Sequence, residues 1–157
     1  VMHNRLLMVL VFAVGILAGG AAGAQSSTVD EARNELQAGR DQIIREELRL
    51  TAEQQAGFWP IYRAYLARLA PLRDRKAGLV QKFVTAYEAG EFDDEIAEWL
   101  IEENFAIKEA WLAVQKEFSA GFRSVLPVQE VARFYQLENK MDAEVDAQLA
   151  LAVPLLE

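Results

Sequence analysis

The sequence predicts an all-α chain of four helices with short connections, organised around a long, kinked antiparallel helical hairpin that pairs into a homodimer. Three observations carry this expectation. Apolar residues recur at steps of three and four through two long stretches, 52–89 and 94–124. No segment shows the apolar/polar alternation or the paired turn residues of a β-hairpin. Thr51 followed three residues on by Gln54 forms a capping box, and Gly90 stands where a helix needs a left-handed residue to end. At 157 residues, 52% hydrophobic and 25% charged, the composition is that of one folded domain.

The N-terminus reads as an address rather than as part of the fold. Arg5 precedes an apolar run from Leu6 to Ala18, and small residues follow, ending in Ala22-Gly23-Ala24. That is the layout of a secretory signal, expected to be cleaved after Ala24 and to export residues 25–157 to an oxidising compartment. The run falls short of the about 18 apolar residues a span needs, so no stable membrane insertion is expected after cleavage. There is no Cys, and the one His, His3, leaves with the signal. Ser–His and Cys–His nucleophilic chemistry is therefore excluded from the mature chain. Loss of Arg5 leaves fifteen basic residues against 24 acidic. That balance argues against a nucleic-acid partner.

The first helix is expected over 29–48, with Ser26–Asp30 supplying N-caps and Val29, Ala32, Leu36, Ile43, Ile44 and Leu48 forming its apolar face. Gly39 interrupts it. The second runs over 52–89, where Phe58, Tyr62, Tyr65, Leu69, Leu72, Leu79, Phe83 and Tyr87 step at helical spacing. Its central apolar residues fill an arc of about 160°, wider than one partner helix covers. Pro60 and Pro71 each delete a backbone bond and are expected to kink it. Gly90 closes it, and Asp93 or Asp94 opens the third helix, with acids where the dipole favours them.

The third helix, over 94–124, carries a main stripe of Ile96, Leu100, Ile107, Trp111, Val114, Phe118, Phe122 and Val125. Ile101, Phe105 and Leu112 form a second stripe roughly 100° or more away, which the hairpin partner cannot also cover. A second copy of the chain is the expected cover. Pro127 is placed as the first residue of the fourth helix, which continues to Ala152 and stops at Pro154. Leu149–Leu156 is an apolar run with two readings, a docked tail or an exposed patch.

No catalytic constellation emerges. Glu91, Asp93, Asp94 and Glu95 lack the spacing of a calcium loop and read as helix capping, and Glu98 with Glu102 reads as a solvated face rather than an acid/base pair. No metal or other cofactor is implied, and no enzyme. Charge is more informative. Arg63–Lys82 holds six basic residues and one acid, whereas Glu88–Glu117 holds ten acids and two lysines. Arg68, Arg75 and Lys82 recur every seven residues as a basic ridge beside the aromatic face. The ridge either neutralises the acidic helix or, with Phe58 and Trp59, offers an apolar and basic surface to a client or partner. Trp111, Tyr65 and Tyr87 are assigned to the core. Trp59 and Trp99 lie at stripe edges.

A degenerate second copy of the helix opening follows, in which Leu126, Phe134 and Tyr135 correspond to Leu50, Phe58 and Trp59. The element Leu50-Thr51-x-x-Gln54, the aromatic pair and the export signal resemble the LTXXQ (Spy/CpxP-like) family of small periplasmic proteins. The resemblance implies a helical hairpin dimer that holds unfolded or misfolded proteins without ATP, or an accessory protein that modulates a membrane sensor kinase. The second copy reads Leu126-Pro127-Val128-Gln129-Glu130, without the Thr or the final Gln. Metal-responsive relatives bind through histidines that the mature chain lacks.

Overall fold

The computed structural model describes residues 37–156, so the expected signal and the first helix before residue 37 lie outside the described residues. Four helices form among the described residues: α1 (37–48), α2 (Ala52–Ala89), α3 (Asp94–Val125) and α4 (Val128–Ala152). The all-α expectation holds, and the bounds of α2, α3 and α4 agree to within a residue or so. Pro127 is the residue before α4 rather than its first, with an extended ψ of 147°.

Local chemistry accounts for each break. Arg49 ends α1 at a φ of 48°, the left-handed region usually left to glycine. Thr51 then caps α2. Gly90 ends α2 at a φ of 68°, its N–H returning to the carbonyls of Ala86 and Tyr87. Asp93 opens α3 by accepting from the Ile96 N–H at 2.9 Å. Helix α2 continues unbroken through Pro60 and Pro71. Both prolines are solvent-exposed, as are Ala56 and Ala67 four residues before them, so water can reach the carbonyls that lose a donor.

Two compact units result. One comprises α1 with the segment Phe134–Val145. Ile44 and Leu48 are buried there, with Phe134, Leu137 and Met141. Arg40 reaches both Glu138, at 3.2 Å, and Asp142, at 2.9 Å, and the Glu138 side chain is fully buried.

The second unit comprises Leu50–Arg133 with Asp146–Glu157 and contains the hairpin. Partner numbers on α3 fall as those on α2 rise: Gly57 meets Val125, Ile61 meets Gly121, Tyr65 meets Phe118, and Arg75 meets Glu103. The helices are therefore antiparallel. A Cβ on Gly57 would stand 2.8 Å from the Val125 side chain, so glycine there allows the close approach near the open end. Within a turn of that approach, Phe122 lies among Phe58 and Tyr65, with ring centroids 5.6 and 5.8 Å away. Burying aromatic rings of this size is worth about 1.5–3 kcal/mol each, which makes this cluster the anchor of the hairpin.

Candidate functional site

Leu50, Thr51 and Gln54 do what their spacing predicts. The Gln54 N–H donates to the Thr51 hydroxyl at 3.2 Å, and the Thr51 N–H donates to the Gln54 side-chain oxygen at 2.9 Å. The Gln55 amide also donates to the Leu50 carbonyl at 2.9 Å. The motif is a self-satisfied helix start. Thr51→Ala removes an oxygen that one backbone donor needs, and it is expected to cost about 0.5–2 kcal/mol in urea unfolding. Unchanged stability would remove the capping account.

Phe58 and Trp59 do not form a partner surface in this fold. Phe58 is 0% exposed and Trp59 7%. The physical reason is the width of the apolar arc of α2: Phe58 stacks on Tyr62 and lies beside Phe122, and the Trp59 ring meets Phe58 edge-on at 5.2 Å. The expectation of client contact through these two rings is corrected to a core role.

The basic ridge stays exposed along the hairpin, and its members pair across to α3. Arg68 pairs with Glu117 at 3.2 Å, and Arg75 grips Glu103 through two bonds of 2.8 and 2.9 Å. Lys82 lies 3.9 Å from the centroid of the Trp99 ring, and Arg73 lies 5.6 Å from that of Trp111. Lys76 pairs with Asp146. Mutual neutralisation thus describes Arg68 and Arg75, and Lys82 covers an aromatic face. Replacing Arg68, Arg75 and Lys82 together by Glu sets like charges against Glu117 and Glu103. A lower melting temperature with helix content retained is the expected result by circular dichroism. No change in either would remove the ridge from the hairpin's stability.

The Arg75 contact is also a pH handle. Hydrogen bonding from Arg75 holds the Glu103 carboxyl below its ordinary value; desolvation opposes it, and the charge of Arg75 adds the smallest contribution, a further lowering. A carboxylate whose pKa is lowered by folding adds stability above its unfolded pKa of about 4.3, and that stability is lost as pH falls through the folded value. The difference in melting temperature between the wild type and Glu103→Gln should therefore shrink toward zero in acid. A difference that persists there would mean the pair is not its source.

Ile101, Phe105 and Leu112 are left open, at 57%, 58% and 50% exposure. The main stripe faces α2, with Ile107, Val114 and Phe122 buried and Trp111 half-buried. Tyr87, expected in the core, is instead 36% exposed beside the Gly90 turn, its ring stacked on Phe83. The C-terminal leucines Leu151, Leu155 and Leu156 are also exposed, which favours the patch over the docked tail.

Sequence reasoning missed Glu103 and Glu117 as the partners of the ridge and Arg40 as the partner of Glu138 and Asp142. These residues carry no local signal, because only the packing of distant helices brings them together. Among the described residues, no group of acidic, His or Cys side chains is placed to hold a metal ion, and no helix is long and apolar enough to cross a membrane. Fold and surface define an all-α helical-hairpin protein that presents an apolar stripe on the outer face of α3. Compared with family models, curated proteins and solved structures, the chain matches none.

Proposed function

We propose that this is an exported, ATP-independent chaperone or envelope-stress accessory protein of the LTXXQ type, which binds partly unfolded proteins in the periplasm. The observation that carries the reading is the stripe of Ile101, Phe105 and Leu112. Three large apolar side chains in line, each at least half exposed, are out of place on a surface that only faces water, and they suit contact with apolar segments that other chains expose. Exposed Glu98, Glu102, Glu109 and Lys108 around them keep the face hydrated between encounters. The Leu50-Thr51-x-x-Gln54 opening and the export signal support the family and the compartment.

The test is aggregation of a reduced or heat-treated protein in the presence of the purified chain. Suppression at equimolar amounts is expected, and Phe105→Glu should abolish it while leaving the melting curve in place. Equal suppression by that variant would remove the stripe as the contact surface, and no suppression by the wild type would remove the chaperone reading.

A further inference from the structure

Helix α1 is weaker than its packing requires. Gly39 lies inside it, and a Cβ there would meet nothing within 4 Å among the described residues, so no close approach calls for glycine. The effect of the glycine is to lower helix propensity and to leave more backbone freedom to be lost on docking. At the other end, Arg49 sits at a φ of 48°, a conformation that residues other than glycine rarely take and that an undocked chain would leave. The segment of the compact unit that holds α1 also ends at Arg49.

The surface under α1 has a mixed character. Phe134, Leu137 and Met141 are buried in this unit, and Glu138 and Asp142 place two carboxylates along the same face of α4. From α1, Arg40, Ile44 and Leu48 follow one another at four-residue steps and so share one face. Arg40 bonds to both carboxylates, and Ile44 and Leu48 are buried. The Glu138 side chain is fully buried, so a groove without α1 would hold a carboxylate beside apolar surface with no cation opposite it. Whatever replaces α1 must therefore bring a cation as well as an apolar cover.

We infer that α1 is a detachable lid on this groove, and that the groove receives a helical segment of another protein that repeats the lid's own pattern, a cation followed by apolar residues four and eight positions on. Lid and incoming helix compete for one surface. The apparent affinity for the helix is then the intrinsic one reduced by the fraction of chains in which α1 is undocked. This site depends on neither the α3 stripe nor the chaperone role, since its partner is a folded helix and its groove belongs to the other compact unit.

The probe is a labelled peptide of residues 37–49 carrying Gly39→Ala, added to the full chain and followed by fluorescence anisotropy, with hydrogen exchange on the same samples. In the wild type, α1 and residues 134–145 are expected to exchange together, and faster than the buried positions of α2 and α3. Gly39→Ala in the chain should slow exchange of α1 about four-fold and weaken peptide binding by the same factor, because both read the undocked fraction. Arg40→Ala in the chain should do the reverse, speeding exchange of α1 and tightening peptide binding by more than about ten-fold, with residues 134–145 protected again once the peptide is bound. A peptide that itself carries Arg40→Ala should not bind. Equal peptide affinity for the wild type and the two chain variants, or a peptide that binds as well without its arginine, would overturn the groove as a helix site. Exchange of α1 only together with the hairpin would overturn the lid. If the Arg40→Ala chain does not fold, the comparison of the wild type with Gly39→Ala decides alone. Protection of residues 134–145 that rises with chain concentration in the absence of peptide would assign the groove to α1 of another copy and overturn the foreign partner.

Discussion

Phe122→Ala is expected to lower the unfolding free energy by about 3–5 kcal/mol, the range for removing a fully buried aromatic ring. Phe122 is 0% exposed and lies against Phe58 and Tyr65, themselves fully buried. Its loss removes the transfer free energy of the ring and leaves a space that cannot readily collapse. The neighbouring contacts of Gly57 with Val125 and of Gly121 with Ile61 already hold the two backbones close, so the helices have little room to approach further. Phe122→Leu should recover part of the loss. Urea unfolding followed by circular dichroism measures both. A cost below about 1 kcal/mol for the alanine variant would mean that the aromatic cluster does not anchor the hairpin.

Arg40→Ala is the second large effect, about 3 kcal/mol or more, because it removes the guanidinium that faces the buried Glu138 carboxylate. The loss should be concentrated in the unit formed by α1 and Phe134–Val145, and limited proteolysis should find new cleavage in α1. Charge is the cause rather than volume, and a double replacement separates the two. Arg40→Met with Glu138→Leu removes both charges while keeping apolar bulk, and it should be far less costly than Arg40→Ala alone. Asp142, whose side chain is 25% exposed, can then turn to water. A double variant as unstable as the single one would assign the effect to lost packing.

Much of the architecture was legible because helix signals are local. Thr51 and Gln54 are three residues apart, Asp93 and Ile96 are three apart, and Gly90 acts through its own φ. These elements appear where the spacing places them. The second stripe was legible too, since 100° per residue separates Ile101, Phe105 and Leu112 from the main stripe whatever covers either one.

The roles of individual surface residues were less legible. Phe58 and Trp59 sit on an arc wide enough for two neighbours, and periodicity states the width without saying which part is covered. Arg68 and Arg75 recur at a regular interval, but regularity is shared by a solvated ridge and a neutralised one. Tyr87 keeps the apolar period of α2 and emerges half-open beside the Gly90 turn.

By itself, then, the sequence determined where α2 and α3 begin and end to within a residue, that the chain is all-α, and that α3 carries two apolar faces. Only the tertiary structure decided which arc of α2 is buried, that Arg75 meets Glu103 28 residues away and Arg68 meets Glu117 49 away, and that Arg40 reaches Glu138 across 98. The physical reason is that sliding one helix by a turn along another changes every such partner while leaving both hydrophobic periods intact. The register is set by how Gly57, Phe58 and Tyr65 fit against Val125, Phe122 and Phe118, which is a property of packed shapes rather than of spacing.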